Sequence, residues 1–357
     1  MKVALVYDRV NKWGGAERVL LTLHNMFPDA PLYTSVYNPK TAKWANVFPK
    51  IYTSFLQNFP FAKTHHDWYA PLMPLAFESF NFDEHDLVIS VTSEAAKGII
   101  TKPGTKHICI CLTPTRYLWS HYEDYLQGET LKVISKSVVN YLRKWDKVAA
   151  FRPDKLIAIS TEVKNRIKKY YGRDSEIVFP PVSINTKTTK DFNNLPKDFF
   201  LVVSRLVPYK KVDLVVRTFN KLNLSLVIVG GGSEEKKLKK IAGANIIFLN
   251  IINNDQSLAW FYKNCKALIF PQDEDFGLTA VECQVFGKPV IAYKSGGALD
   301  TVLSGKTGIF FNEQSEESLI KAISSFHKTK FSATLISQNA KHFSKKNFQE
   351  NLWKIIK

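Results

Sequence analysis

No stretch of the 357-residue chain runs for about 18 consecutive apolar residues, so no transmembrane helix is expected. Cysteine is scarce. The four present form no CxxC pair, which argues against a disulfide framework or a zinc site and for reduced thiols in the cytoplasm. Cys109 and Cys111 share one face of an expected strand and read as core. The run VALVY after Met1-Lys2 is cut short by Asp8 and Arg9, so no secretory signal is expected. Internal repeats and low-complexity tracts are absent. Zinc-finger spacing, an RNP aromatic signature and a helix-turn-helix pattern are also missing, and the lysines are scattered rather than striped, so nucleic acid is not an expected partner. Nor does any GxGxxG run have an acidic residue about 20 positions on, so no nicotinamide cofactor is indicated.

What is present is positive charge and α/β alternation. Lysine and arginine number 49 against 32 aspartates and glutamates, a formal net charge of +17 that favours phosphorylated ligands or anionic membrane surfaces. With 45% apolar residues, the chain has the composition of a globular protein of about two domains. Short apolar strands alternate with amphipathic helices twice over, the pattern of doubly wound parallel sheets. Strands are expected at 2–7, 31–36, 86–91, 106–111, 155–160 and 176–180, and again at 199–204, 224–229, 245–249, 266–271, 289–293 and 308–311. The polar, strand-free stretch 183–197 reads as a linker between domains at 1–182 and 198–340. A last helix is expected within 339–357, with Phe348, Leu352, Ile355 and Ile356 on its apolar face.

Chemistry concentrates in DEDFGLTAVECQVFGKPV, where seven residues separate Glu274 from Glu282. The expected unit is strand (KALIFP), loop, short helix (278–286), a stop at Gly287-Lys288-Pro289, then strand PVIAY. Ligands of such units lie beyond the carboxyl ends of the strands, so both carboxylates are expected to face one crevice. Gly277 permits close backbone approach, and the first N–H groups of the helix, from Phe276 through Leu278 to Thr279, point at whatever is bound. Upstream, FFLVVSRLVPYKK places Ser204 and Arg205 at a strand end and Lys210 with Lys211 before a helix. Cations there oppose the helix dipole unless an anion such as a diphosphate is bound. Gly230, first of three glycines after LSLVIV, and Gly14-Gly15, directly before a helix, are further places for backbone to meet a nucleotide or phosphate. Asp273-Glu274-Asp275 superficially resembles a metal-binding DxD, but Arg205 and Lys210 already offer the charge that a metal would bring, and no metal is expected.

The Glu274/Glu282 spacing, the Phe276-Gly277 insert, the strand ending in Pro271 and the Gly-Lys-Pro-Val that follows resemble the signature of the retaining glycosyltransferases of family 4, which have the GT-B architecture. GGAE at 14–17, with FPDAPLYTSVY, SFLQ, PLMPLAFESF, LTPTRYLW and IVFPPV, looks like the branch containing bacterial O-antigen mannosyltransferases, and the likeness spans nearly the whole chain. The resemblance implies two Rossmann-like domains facing a cleft, the last helix crossing back onto the first. It also implies a nucleoside diphosphate sugar of GDP or UDP type as donor, no cofactor, and a glycan or polyprenyl-diphosphate-linked acceptor. Arg205, Lys210 and Glu274 then carry catalysis. Gly14, Gly15, Ser204, Gly230, Phe276 to Thr279 and Glu282 bind the donor, and Arg116 meets phosphate or acceptor. Ser295-Gly296-Gly297 falls where the family has a Gly-Gly pair followed by an acidic residue, here Asp300. One departure is Leu112, where that branch commonly has His beside the donor sugar. A GT-B epimerase and a non-catalytic basic membrane-binding module are the alternatives. Peripheral contact with an anionic membrane is expected through Lys132, Lys136, Arg143, Lys144 and Lys147.

Overall fold

The computed structural model describes residues 1–120, 122, 136–184, 192, 195–250, 252 and 255–357. Lys132 and most of the 183–197 stretch lie outside the described residues. The chain divides into two compact units, Met1–Pro181 with Phe348–Lys357, and Val182–Asn347.

The first unit is built on a seven-stranded sheet in the order β3-β2-β1-β4-β5-β6-β7. Its strands are β1 (Val3–Tyr7), β2 (Leu32–Thr34), β3 (Ile51–Thr53), β4 (Leu87–Thr92), β5 (Lys106–Cys111), β6 (Lys155–Ala158) and β7 (Glu176–Ile177), and every pairing is parallel. β1 and β4 are buried at every position, as their unbroken apolar runs require of strands covered on both faces. All six strands expected here are present. The one not foreseen, β3, is a half-buried edge strand of three residues whose IYT sequence has no apolar run to announce it. Chain order β1, β2, β3 proceeds to one side, and β4 restarts on the other flank of β1. That reversal opens a crevice beyond the carboxyl ends of β1 and β4.

The second unit repeats the plan with six strands in the order β10-β9-β8-β11-β12-β13. They are β8 (Phe200–Val203), β9 (Leu226–Val229), β10 (Ile246–Leu249), β11 (Leu268–Phe270), β12 (Val290–Tyr293) and β13 (Gly308–Phe311), one for each expected strand. Alternate residues feed opposite cores. Phe200 and Val202 pack with Val216, Phe219, Leu319 and Ile323 on one face, while Phe199 and Leu201 pack with Phe261, Tyr262, Ala280 and Cys283 on the other. Ile184, with Phe192 and Leu195 beside it, packs on this second core. The switch point here lies between β8 and β11.

The final helix, Lys345–Ile356, buries Phe348, Leu352, Ile355 and Ile356, the expected face. Trp353 meets the Phe27 ring edge-on at 5.2 Å. Lys106 Nζ donates to the carbonyls of Ile355 (3.1 Å) and Ile356 (2.6 Å), closing the helix end on the first unit. The helix is shorter than expected because Ala333–Lys341 is a separate helix. Between the two, Phe343 gives its carbonyl to Val182 N at 2.8 Å, and Ser344 bridges to Val182, a strand-like pairing that a continuous helix cannot make.

Two buried polar arrangements fix the carboxyl edge of the first sheet. The Asp8 carboxylate accepts from Thr92 Oγ1 (2.9 Å) and from the backbone N–H groups of Ser93, Glu94, Ala95 and Ala96 at 2.6 to 3.0 Å, setting the loop after β4. Lys97 and Asp146, both 1% exposed, form an ion pair at 2.5 Å. Asp146 also accepts from Thr115 Oγ1 (2.9 Å), Trp119 Nε1 (2.7 Å) and Tyr171 OH (2.8 Å). Those bonds offset the cost of burying two charges. Lys97→Ala strands the Asp146 carboxylate and is expected to cost about 3–5 kcal/mol. A fall of roughly 10 °C in the melting transition, followed by circular dichroism, is the expected reading.

Acid should also weaken this unit. Burial, reinforced by Arg9 for His66 and by Arg152 and Arg173 for His107, lowers both imidazole pKa values to about 3. The unfolded chain takes these protons near pH ~6.5, whereas the folded chain refuses them until about pH 3. Stability contributed by the neutral imidazoles is complete above pH ~6.5 and falls as pH drops, by up to about 1.4 kcal/mol per pH unit for each histidine. Urea unfolding across this range should show that slope, and His107→Gln should make it shallower.

Candidate active site

The residues singled out at 204–211 and 271–282 meet at the switch point of the second sheet. β8 ends at Val203, so Ser204 and Arg205 emerge at its carboxyl end and lead into a 3-10 turn at Pro208–Lys210. Lys211 closes that turn in the left-handed region, φ 53°, and caps the helix Val212–Leu222. The effect is to drive Lys210 inward. It is only 6% exposed, and its ammonium contacts Glu274 Oε1 on the loop after β11. Tyr209 stands between the cations: its ring centre lies 5.0 Å from Lys210 Nζ and 6.0 Å from the Arg205 guanidinium, which also donates to the tyrosine hydroxyl. Arg205 itself is exposed. A buried and an exposed cation thus flank one ring at a sheet edge.

The Glu274 loop is held from two sides. Phe276 is buried and meets Phe343 edge-on at 5.5 Å, while Gly277 starts the helix Leu278–Val285 at φ 87°. A β-carbon on Gly277 would lie 2.8 Å from the Phe270 ring, so both conformation and space call for glycine. From the other side Gly297 N donates to the Glu274 carbonyl at 2.8 Å. A β-carbon at Gly296 would fall 2.3 Å from the Glu274 carbonyl oxygen, and one at Gly297 would fall 2.2 Å from Phe276 Cα. The Ser295-Gly296-Gly297 turn therefore acts as a backstop for the carboxylate loop.

Glu282 lies one helical turn into Leu278–Val285, 3% exposed, and accepts from the hydroxyl of the fully buried Tyr262 at 2.7 Å. Gln272 is 3% exposed. Its Nε2 lies 3.5 Å from Glu274 Oε1, and its own Oε1 is buried with no hydrogen-bond partner among the described residues. Neither Tyr262 nor Gln272 carries a spacing signal: Tyr262 sits in an apolar helix, and Gln272 follows a strand as any polar residue does. Tyr209, between Pro208 and Lys210, was equally unmarked.

Gly230 has a tighter neighbour than a ligand. It sits at φ 149°, where a β-carbon would fall 1.9 Å from the Ser204 carbonyl oxygen. Its smallness positions the backbone that carries Arg205. The Asp273-Glu274-Asp275 run does not gather into a ligand set, and among the described residues no group of three or more His, Cys, Asp or Glu is placed to hold a metal ion.

The remaining candidates belong to the first unit. Gly15 opens the helix Gly15–Met26. Gly14 before it is extended, φ −173°, a conformation open to any residue. Its constraint is Glu17, whose carboxylate would lie 3.1 Å from an added β-carbon. Glu17 is buried and accepts from Tyr7 OH at 2.9 Å, and burial raises its pKa. Leu112 follows β5 and donates its N–H to the Thr92 carbonyl at 2.8 Å; Arg116 is half-buried in the next turn. Of the basic residues expected on a membrane face, Lys136, Lys144 and Lys147 are exposed on the helix Lys136–Ala149. Arg143 is not part of that face. It turns inward, donating to the Leu118 carbonyl at 2.7 Å and lying 4.5 Å from the Tyr122 ring centre.

Residues 184–343 match the sequence model of the family described as glycosyl transferases group 1. The alpha-1,3/1,6-mannosyltransferase ALG2 of Dictyostelium discoideum is 29% identical over 239 residues, covering 53% of this chain and 56% of its own. The O-antigen chain mannosyltransferase C of Escherichia coli is 22% identical over 245 residues, covering 64% and 63%. The chain spans less than two thirds of the length of these curated relatives. Among solved structures, Anabaena Alr3699/HepE in complex with UDP and glucose superposes with a TM-score of 0.72 at 19% identity, covering 100% of this chain and 99% of that one. The chain has the GT-B fold expected for it, two Rossmann-like parallel-sheet domains, and its second unit carries the sequence pattern of the glycosyl transferases group 1.

Proposed function

We propose that the chain transfers a hexose, with mannose favoured, from a nucleoside diphosphate sugar of GDP or UDP type to a hydroxyl of a glycan or polyprenyl-diphosphate-linked acceptor, with retention and without a metal. The observation that carries this reading is the contact between Lys210 and Glu274 at the β8/β11 switch point, with Arg205 beside it. Support for the sugar comes from the two mannosyltransferase relatives, and for the donor class from the neighbour solved with UDP and glucose.

In this reading the diphosphate lies over Tyr209, where Arg205 grips it through paired donors and Lys210 adds charge from below. When the bond between the anomeric carbon and the diphosphate oxygen breaks, negative charge grows on the leaving group, and these two cations stabilise it. The acceptor hydroxyl forms the new glycosidic bond and gives its proton to the departing phosphate oxygen. No side-chain base is then needed, and Leu112 costs a sugar contact rather than a proton acceptor. Glu274, fixed through its backbone by Gly297, would meet sugar hydroxyls while shared with Lys210. Glu282, aimed by Tyr262, would take the ribose hydroxyls. In the first unit, Gly14 and Gly15 would offer the N–H groups that open a helix to a phosphate.

The test is transfer of labelled sugar from a panel of nucleotide sugars, with and without acceptor. Arg205→Ala should lower turnover by about 10²-fold, as loss of one preorganised donor typically does. Glu282→Ala should raise the donor KM at least about tenfold, and Tyr262→Phe by a few-fold, the scale of one hydrogen bond. Activity should survive EDTA. Unchanged rates in both Arg205→Ala and Glu282→Ala would sink the assignment, and donor turnover without acceptor would favour an epimerase.

A further inference from the structure

The loops that follow β1, β2 and β3 gather on one half of the first sheet's carboxyl edge and are tied to one another. Asn11 Nδ2 donates to the Lys63 carbonyl (3.3 Å), Thr41 Oγ1 to the Asn11 carbonyl (2.6 Å) and Trp44 Nε1 to the Lys12 carbonyl (2.8 Å). This rigid surface displays aromatic rings to solvent. Phe61 is 68% exposed, Trp68 54% and Trp13 46%. Phe61, His65 and Trp68 contact one another, with ring centres 4.8 to 6.4 Å apart.

Phe61 is the residue that needs an explanation. Its φ of 57° lies in the left-handed region, which bulky side chains disfavour. The turn locks that conformation: the Phe61 carbonyl accepts from Thr64 N (2.9 Å), His65 N (2.8 Å) and Thr64 Oγ1 (3.1 Å). A strained backbone that holds a large apolar ring in water gains nothing for the core, and such strain marks sites of function.

Basic side chains outnumber acidic ones on the loops that carry these rings. Lys12, Lys40, Lys43 and Lys63 are exposed on the same three loops, and Asp67 is the sole acidic residue between Asp29 and Glu78. Exposed Trp and Phe among lysines is the composition of an interfacial anchor, in which rings enter the headgroup boundary and ammonium groups meet acidic lipids. We propose that this edge of the first unit docks on an anionic lipid bilayer, with Phe61 and Trp68 entering the interface and Lys12, Lys40, Lys43 and Lys63 facing the headgroups. Docking does not depend on the transfer reaction, so its test can fail while that reading stands, and the reverse.

The experiment is co-sedimentation of the full chain with vesicles of phosphatidylcholine alone and of equal parts phosphatidylcholine and phosphatidylglycerol. Partitioning is expected onto the mixed vesicles only, weakening as salt is raised. The double variant Phe61→Gly with Trp68→Ala should reduce the partition coefficient at least about tenfold while leaving the circular dichroism spectrum and melting transition intact, since glycine suits a positive φ. Lys63→Glu, which keeps both rings, should weaken binding to the mixed vesicles. The proposal is overturned if the wild-type chain stays in the supernatant or the double variant binds as the wild type does. Loss of binding in Lys144→Glu with Lys147→Glu, but not in the double variant, would also overturn it. So would retention on heparin or RNA without any vesicle binding, which marks a general polycation.

Discussion

The contact between Lys210 and Glu274 is the constraint on which the second unit's crevice depends. A lysine that is 6% exposed needs a counter-charge, and the loop leaving β11, the strand across the switch point from its own, brings one in Glu274. That contact ties the two loops to a common geometry. Arg205 and Tyr209 then fall into place around the pair. A diphosphate entering there would find one cation already immobilised and another exposed to grip it, so little ordering remains to be done when it binds.

Glycine does more of the positioning than the ionic groups alone would suggest. Gly230 allows β9's exit to press on the Ser204 carbonyl, while Gly296 and Gly297 let the turn after β12 press on residues 273–276. Gly277 turns the chain from that loop into a helix against Phe270. Each contact lies below the distance that a β-carbon allows, so the carboxylate loop is held by the Gly296-Gly297 backbone on one side and by the Phe270 ring under Gly277 on the other. Gly230, which read as room for a ligand, also brings backbone against backbone.

The fold was largely legible because parallel strands buried on both faces read as continuous apolar runs, and all but one were visible that way. The exception, β3, is an edge strand of three half-buried residues with no such run. The meeting of the two candidate segments in space was legible where charge at a strand end violated the helix-dipole preference, as at Arg205, Lys210 and Lys211, and where a carboxylate pair framed a Phe-Gly insert. Side-chain partners brought from elsewhere in the chain were not legible. Tyr262 comes to Glu282 from 20 residues away, and the ring of Tyr209 is defined as a bridge only by its two neighbours in space. Arg143 shows the converse: a basic residue on a basic helix, it is drawn inward by a carbonyl and an aromatic ring that its sequence neighbours do not reveal.

In the proposed reaction Lys210, set by Glu274, receives the diphosphate of a sugar donor. Titration calorimetry of GDP, UDP and the corresponding monophosphates against the wild-type chain and Lys210→Met tests it most directly. The account predicts that one diphosphate binds in preference to its monophosphate, and that Lys210→Met weakens it at least about tenfold, the scale of a charge-assisted contact, while monophosphate binding changes little. Equal affinity of the two proteins for the diphosphate, or no diphosphate binding at all, would contradict it.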